Sequence, residues 1–234
     1  MTFQEISAHL HSLGNSKQAQ HALRFFKTGP GEYGHGDKFL GIRVPVIRQA
    51  VKQFQNASLS TSAKLLQSEY HEIRLFALLL LVARYTKGNT ADQDKIYQLY
   101  LKNIRHVNNW DLVDSSAPYI VGAYLYDKDK SQLYEFSRSD LLWERRIAII
   151  ATFHFIRHQQ YDDTLRISTI LLNDPADLIH KAVGWMLREV GKRDLPSEVE
   201  FLVTHYRTMP RTMLRYAIEK FSEVERQQYL NGKI

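Results

Sequence analysis

The fold is constrained most by a repeated pair, an alanine followed by an aliphatic residue, that recurs along the chain. The pairs are Ala50-Val51, Ala77-Leu78, Ala148-Ile149, Ala182-Val183 and Ala217-Ile218. Ala148 and Ala182 are 34 residues apart, Ala182 and Ala217 are 35 apart, and Ala77 precedes Ala148 by 71, about twice that period. Because one helix pair cannot bury its apolar face alone, a repeat of this length predicts helix pairs that stack on one another.

Helical periodicity extends over almost the whole chain. Apolar residues recur every three or four positions in ten segments, Leu112–Leu125 and Ile147–Ile156 among them, and no alternating strand pattern occurs. We therefore predict an all-α protein of about ten to twelve helices, a superhelical solenoid of HEAT-like antiparallel helix pairs with a concave surface. One domain is expected to span residues 1–234. An irregular helical bundle is the alternative.

The composition limits the classes of function. The 234 residues carry a net charge of +6, which favours an anionic partner such as a nucleic acid, although a basic surface without such a partner is the alternative. Cysteine is absent, so disulfides, thiolate catalysis and cysteine-ligated zinc are excluded. The first residues lack a signal-peptide pattern, and the longest apolar run, Phe76 to Ala83, is too short to span a bilayer. We expect a cytoplasmic protein.

Three short segments of similar composition open predicted helices and contain all three tryptophans. They are Asn108–Asp114, Trp143–Arg146 and Lys181–Trp185. Cations lie at the starts of these or later helices, namely Arg145, Arg146, Lys181, Arg211 and Arg215. Since the helix dipole is positive at the N-terminus, such cations suggest that an outside anion binds there, and phosphate is the natural candidate. The alternative for the cations is that they are simply solvated. The alternative for the tryptophans is that they belong to the core.

Two aspartates in the first of these segments are predicted to differ in role. Asn108 followed by Asp111 is typical of an N-cap with an acidic first turn, so Asp111 is expected to be structural. Asp114 lies one turn after Trp110 and beside Pro118, which cannot donate to the carbonyl at position 114, so the helix should kink there. A carboxylate at an irregular point of a mostly apolar helix is unusual. A buried structural carboxylate, capping or paired with an arginine, is the alternative.

Two other motifs are interpreted as structural. Gly29–Gly34 matches a dinucleotide fingerprint in letters only, because no strand precedes it. It belongs to a glycine-rich loop, Lys27 to Gly41, which is either a connector or a ligand-facing segment. His154 and His158 have the spacing of metal ligands but no acidic neighbour or third ligand, so we expect packed or surface histidines and no metal.

The chain resembles the DNA alkylation repair family, specifically the AlkD-type HEAT-like-repeat alkylpurine DNA glycosylases. The resemblance covers nearly the whole chain and rests on four ordered motifs: Phe39–Ile42 with Pro45, Trp110–Asp114, Trp143–Ala148 and Lys181–Glu189. It implies a concave, basic DNA-binding groove. It also implies that Trp110, Asp114 and Trp185 surround the deoxyribose of the lesion and that Arg146 assists beside Asp114. The chain departs from some members at Asn109, where they have a further tryptophan, and at Phe25, where a tyrosine can occur.

The chemistry of these residues fits base excision. Cleavage of an N-glycosidic bond builds positive charge on the sugar, which a fixed carboxylate and tryptophan faces can stabilise. A purine alkylated at N3 or N7 is already cationic and leaves without a proton donor, so Asp114 alone can suffice, with water as the nucleophile. We therefore expect a monomeric, monofunctional glycosylase that acts on alkylated duplex DNA without metal or cofactor.

The sequence also predicts how the DNA is held. Arg145, Lys181, Arg211 and Arg215 are expected to contact its phosphates, and Phe25 to lie at the DNA. Two alternatives remain. One is a helical-repeat protein that binds DNA or another protein without catalysis, and the other is a relative of the glycosylases that has lost turnover.

Overall fold

A computed structural model describes the whole chain, Met1–Ile234, and it is helical throughout. The only β-type pairing is an isolated bridge between Lys38 and Tyr70. The chain divides into two compact units, Met1–Ile120 and Val121–Ile234, each described by itself below, and the single repeat domain stays a prediction. None of the helices is both long and apolar enough to cross a membrane.

Seven α-helices form the first unit. They are α1 (Phe3–Ser12), α2 (Ser16–Phe25), α3 (Val44–Gln53), α4 (Leu59–Leu66), α5 (His71–Lys87), α6 (Thr90–Lys102) and α7 (Trp110–Asp114). The long helix α5 is the centre of this unit, because α3, α4, α6 and α7 all pack against it. Ala50 of α3 and Ala77 of α5 are buried, as the repeat predicts. A small side chain at these positions lets neighbouring helices approach closely.

The chain is irregular on both sides of α7. A 3₁₀ turn, Ile104–His106, precedes this helix, and a π-helical segment, Pro118–Gly122, follows it after a short turn. The predicted break near Pro118 is therefore confirmed. The predicted N-cap is wrong by one position, because the capping residue is Asn109 rather than Asn108.

Nine α-helices form the second unit. They are α8 (Ala123–Leu125), α9 (Ser131–Phe136), α10 (Leu142–Ala151), α11 (Phe153–Arg157), α12 (Asp162–Ile170), α13 (Asp177–Gly191), α14 (Leu195–His205), α15 (Arg211–Ala217) and α16 (Glu223–Leu230). A 3₁₀ turn, Ile218–Lys220, follows α15. Helix α13 packs against α10 on one side and α15 on the other, and α9, α12 and α14 pack onto this row. The three helices of this row, α10, α13 and α15, carry the alanines that are 34 and 35 residues apart in the sequence.

The close packing within this row depends on small residues. Ala148, Ala182 and Ala217 are fully buried. Gly184 of α13 faces α15 so closely that a Cβ atom added there would lie 2.4 Å from the carbonyl oxygen of Met213. Glycine is therefore required by the approach of two helices at this position and not by a turn.

The helices outnumber the ten to twelve that the sequence predicts, for two reasons. The predicted segment Ile147–Ile156 is divided at Thr152 into α10 and α11. The hydroxyl of the buried Thr152 donates to the carbonyl of Ile149 (2.7 Å), which replaces part of the helical ladder. In addition, Leu112–Leu125 is divided into α7 and α8, and four helices, α2, α4, α9 and α16, lie outside the ten predicted segments.

A buried carboxyl group in the second unit makes its stability depend on pH. Glu198 of α14 is 2% exposed, and burial, opposed by the charge of Arg188, raises the pKa of its carboxyl to about 8. Between the ordinary pKa of 4.5 and about 8, the folded chain holds a proton that the unfolded chain has lost. The free energy of unfolding should therefore fall as pH rises through this range.

We expect Glu198→Gln to flatten this slope, since the amide stays neutral at every pH. Urea unfolding of both proteins at several pH values between 5 and about 8.5 measures the effect. The variant should gain stability over the parent as pH rises. Parallel pH profiles for the two proteins would contradict a raised pKa at Glu198.

Candidate functional site

Helix α7 holds Trp110 and Asp114 one turn apart at its two ends. Its N-cap is the fully buried Asn109, whose side-chain oxygen accepts a hydrogen bond from the backbone N–H of Trp110 (2.8 Å). The side-chain amide of Asn109 donates to Asp37 (3.3 Å). Asn109 therefore has a structural role, because its short polar side chain both caps α7 and contacts Asp37.

An aromatic cluster surrounds the first residue of α7. It consists of Phe25, Phe26, Phe39, His71 and Trp110. Trp110 stacks on Phe26 with ring centres 5.5 Å apart, and Phe26 stacks on Phe39 at 5.0 Å. Phe25, which is 56% exposed, meets Trp110 edge to face at 5.9 Å. These contacts hold the indole in one orientation.

A network of polar side chains holds one member of the aromatic cluster, His71, in place. The imidazole of His71, only 1% exposed, lies between two carboxylates, with Nε2 at 2.8 Å from Asp111 and Nδ1 at 3.4 Å from Asp37. Arg74 donates to the other oxygen of Asp37 (2.8 Å). Burial lowers the pKa of His71, but the hydrogen bonds to Asp111 and Asp37 outweigh burial and raise that pKa above its ordinary value.

The same partners stabilise the ionised form of Asp37. Burial raises the pKa of Asp37, yet the hydrogen bond with His71 and the charge of Arg74 keep this pKa below its ordinary value. A protonated His71 also lies against the faces of Phe26 and Phe39, with ring centres 4.8 and 4.7 Å away, where a cation is stabilised. The network therefore ties α5 to α7 through charged hydrogen bonds.

Asp111 has a larger structural role than the predicted helix-start acid. It lies in the first turn of α7, as expected, but its carboxylate is the partner of His71. One oxygen, Oδ2, makes that bond, and the other, Oδ1, is buried without a hydrogen-bond partner. Asp111 therefore connects the Trp110 helix to α5.

The glycine-rich loop is fixed at its C-terminal end. Glu72 accepts hydrogen bonds from the backbone N–H groups of Leu40, Gly41 and Ile42, at 2.9, 2.7 and 3.2 Å. Gly41 has a φ of 78°, and a Cβ atom added there would lie 2.1 Å from the carbonyl oxygen of Asn15. These contacts fix the backbone at this end of the loop, and this places Phe39 in the aromatic cluster.

Asp114 is half-buried at the C-terminal end of α7, just before the irregular segment. Its charge acts on the buried Tyr100 of α6: burial, and then the negative charge of Asp114, raise the pKa of the Tyr100 phenol. The phenol oxygen lies 3.1 Å from the hydroxyl oxygen of Ser116, which donates to the carbonyl of Leu112. Asp114 therefore lies beside a phenol that stays neutral.

Trp185 in the second unit is oriented by its neighbours on α11 and α13. Its indole N–H donates to Glu189 (3.3 Å), and its ring lies 6.0 Å from that of Phe153. Glu189 also receives hydrogen bonds from Lys192 and Arg193. Trp185 remains half-exposed, so one part of its ring is accessible.

Arg145 and Arg146, both on α10, have partners within the chain. Arg146 is 5% exposed and donates to the carbonyl of Leu178 in α13 (2.6 Å). Arg145 forms an ion pair with the buried Asp174 (2.6 Å) and donates to the carbonyl of Ser139. The anion inferred from Arg145 is thus present in the protein itself, and the argument for an outside phosphate does not hold at this residue.

Of the other cations, Arg211 lies at a helix start as predicted, whereas Lys181 does not. Lys181 is in the second turn of α13, not at its start, and pairs with Asp177 one turn earlier (2.8 Å). Arg211 is the first residue of α15 and donates to the carbonyl of Leu230 (2.6 Å). Arg215 is exposed one turn later. Contacts of these three residues with phosphate stay predictions.

Four members of this site were not singled out from the sequence, namely Phe26, Phe39, Asp37 and His71. Phe39 was noted only as part of a motif. The adjacent pair Phe25-Phe26, at the end of a helix that carries no acidic residue, is the one local signal that could have indicated them.

The histidine pair of His154 in α11 and His158 just after it packs against an aromatic ring. His154 and His158 have ring centres 4.4 Å apart, and both contact Tyr126, at 5.4 and 4.8 Å. Burial and the neighbouring His158 lower the pKa of His154 to about 4, so it is neutral at physiological pH. These contacts agree with the packed histidines that the sequence predicts.

Both the sequence and the fold are similar to known proteins. A family model described as DNA alkylation repair enzyme matches residues 6–221. A predicted DNA alkylation repair enzyme from Enterococcus faecalis has a similar structure, with 16% sequence identity and a TM-score of 0.69 over 90% of this chain and 97% of that one. AlkD2 from Streptococcus mutans is similar at 17% identity, with a TM-score of 0.52 over 95% of this chain and 100% of that one. These structures confirm the helical fold class, and no curated protein matches the sequence significantly.

Proposed function

Since the chain belongs to the family of DNA alkylation repair enzymes, we propose that it is a monofunctional DNA glycosylase that removes cationic N3- or N7-alkylated purines from duplex DNA. The product is an abasic site, the starting point of base excision repair. The proposed enzyme acts as a cytoplasmic monomer and uses neither metal nor cofactor. Asp114, Trp110 and Trp185 are its proposed catalytic residues, with Arg146 in support.

One observation carries this proposal, the way in which α7 holds an indole and a carboxylate. Trp110 is fixed by stacking on Phe26 and by the cap at Asn109, and Asp114 lies one turn away, half-buried. A preorganised carboxylate beside an aromatic face suits a positive charge that develops on a sugar, since no reorganisation is needed when the charge forms. A carboxylate needed only for folding would not require an oriented indole next to it.

The proposed reaction is a hydrolysis. The bond between C1′ and the purine nitrogen breaks, and its electron pair neutralises the positive charge of the alkylated base, which leaves as a neutral purine. The carboxylate of Asp114 stabilises the resulting oxocarbenium ion, while the faces of Trp110 and Trp185 contribute cation–π attraction. Water then adds to C1′ and releases a proton to solvent.

Excision measured on a defined duplex tests the proposal. The purified protein is incubated in excess with duplex DNA that contains one 7-methylguanine, and release of the free base is followed by chromatography. Single-turnover release faster than the spontaneous loss supports a glycosylase. Binding without release would favour a non-catalytic DNA-binding protein, and no binding would favour a protein scaffold.

The DNA complex should be sensitive to salt. Arg215 is exposed, and Lys181 and Arg211 are the other proposed phosphate contacts, so each should displace counterions from the DNA. The logarithm of the binding constant should fall linearly with the logarithm of the salt concentration, by about 0.9 per phosphate contacted. Arg215→Gln should make that slope shallower by about one.

A second arginine in the same unit provides the matched control. Arg226 of α16 already pairs with Glu223 (2.9 Å), so Arg226→Gln removes the same charge without removing a proposed phosphate contact. Fluorescence anisotropy of labelled duplex DNA at several salt concentrations compares the three proteins. Equal slopes for the parent and Arg215→Gln would exclude Arg215 from the DNA interface.

A further inference from the structure

The first unit contains an aromatic pocket that the proposed reaction does not use. Its volume is about 390 Å³, and it opens between α2, the start of α3 and the start of α5. This volume falls in the range of about 300–1,000 Å³ that is usual for small-molecule sites. Its walls are largely apolar and include Ala22, Phe25, Phe26, Phe39, Ile42 and Leu75. Phe25 and Phe26 line it and also contact the indole of Trp110.

The acidic residues that border the pocket offer no accessible acceptor. Two carboxylates border it, those of Glu72 and Asp111. Glu72 is fully used by the three backbone N–H groups of residues 40–42. Asp111 bonds His71 through one oxygen only, and its Oδ1 atom has no partner. Because Oδ1 is also buried, the pocket offers a flat ring its apolar and aromatic walls rather than a free acceptor.

The rim of the pocket is basic. Arg43 and His21 border it and are exposed, and α2 also carries Lys17 and Arg24. No acidic residue occurs from Gly14 to Gly31. Exposed apolar side chains are interleaved with these cations, since Leu23 is 39% exposed and Phe25 is more so. Aromatic side chains within a positively charged groove are the arrangement by which proteins hold unpaired nucleic acid bases.

We propose that this pocket binds an unpaired nucleobase of the DNA, packed against the exposed ring of Phe25 and the apolar walls, while Arg43 and the basic face of α2 hold the flanking phosphates. The inference rests on the DNA-binding function proposed above and adds a base-binding site beside the Trp110–Asp114 pair. A base that has lost its partner at a damaged position leaves the stack at least cost, so the pocket would favour such positions over intact duplex.

Two duplexes without an alkylated base test the proposal independently of excision. One is fully paired, and the other contains a single 2-aminopurine opposite an abasic-site analogue. We expect the parent protein to bind the second duplex about tenfold more tightly, as expected for one stacked base. The emission of 2-aminopurine should rise on binding, because the base leaves its neighbours in the DNA.

Two variants of α2 make the test specific to the pocket. Ala22→Leu places a larger side chain in the pocket and should abolish both the preference and the emission change. Gln20→Leu adds the same side chain at an exposed position of α2 that does not border the pocket, and it should preserve both. Thermal unfolding followed by circular dichroism checks that each variant is folded. If Ala22→Leu does not fold, Arg43→Gln replaces it, and this variant should bind the second duplex more weakly than the parent protein does.

The outcomes separate the two proposals. Equal affinity of the parent protein for both duplexes, or a preference that survives in Ala22→Leu, would overturn the base-binding pocket and leave the glycosylase proposal intact. Failure to bind either duplex would overturn both. Base preference without release of 7-methylguanine would support the pocket and contradict the glycosylase.

Discussion

Asp114→Asn should lower the rate of 7-methylguanine release by about 10²–10³, the usual cost of removing one preorganised electrostatic group from a transition state. The substitution keeps the size of the side chain, removes its charge and replaces one acceptor oxygen by an amide donor. The effect should appear in the single-turnover rate, because the charge that Asp114 stabilises exists only while the glycosidic bond is breaking. Affinity for the DNA should change little.

A surface aspartate of the same unit provides the matched control. Asp94 is exposed on α6, and Asp94→Asn makes the same chemical change far from the indole of Trp110 along the chain. It should release 7-methylguanine at the parent rate. Near-normal release by Asp114→Asn would refute its catalytic role, and a lower unfolding temperature in that variant would point to a structural carboxylate.

A substitution of the adjacent acid should have a different signature. Asp111 is the partner of the buried His71, so Asp111→Asn breaks a charged hydrogen bond and should mainly lower the free energy of unfolding. The sequence predicts a cost of about 1 kcal/mol for a helix-start acid. The bond to His71, which is inaccessible to sequence reasoning, makes a larger cost the expectation.

The helical class and the repeat could be predicted because the buried face of each helix requires apolar residues at regular spacing in the sequence. Ala148, Ala182 and Ala217 are spaced by the repeat, and all are buried in the row of α10, α13 and α15. Helix α2 was not predicted although Ala19, Ala22 and Leu23 have helical spacing, because polar residues predominate in it and none of its residues is buried. The break at Thr152 could not be predicted either, because no proline or glycine occurs there. Only the hydrogen bond of the Thr152 hydroxyl accompanies the break in the structure.

The candidate site could be predicted only along a single segment. Trp110 and Asp114 share a helix, so their spacing places them one turn apart. The aromatic cluster unites residues from α2, the glycine-rich loop, α5 and α7, and a contact between distant segments leaves no periodic signal. The partner of Arg145 was missed for the same reason, because Asp174 is 29 residues away.

The two histidines nearest to α7 bear on which bases can leave. A neutral purine needs a proton from a positioned acid before it departs, whereas a cationic alkylated purine does not. Burial and the charges of Arg105 and Arg74 lower the pKa of His106, which disfavours its protonated, acidic form. His71 is protonated more readily, but it is 1% exposed and both of its ring nitrogens face carboxylates. Neither histidine is suited to protonate a leaving base.

We therefore expect excision to depend on the charge of the base. Duplexes with a single 3-methyladenine or 7-methylguanine should lose the base, and duplexes with hypoxanthine, uracil or 1,N6-ethenoadenine should remain intact under the same single-turnover conditions. Because the alkylated bases are cationic before binding, their release should also be flat across neutral pH, where an enzyme with a general acid would slow as that acid loses its proton. Release of hypoxanthine at a rate comparable to that of 7-methylguanine would mean that a proton donor acts in the site, and catalysis by Asp114 alone would then be excluded.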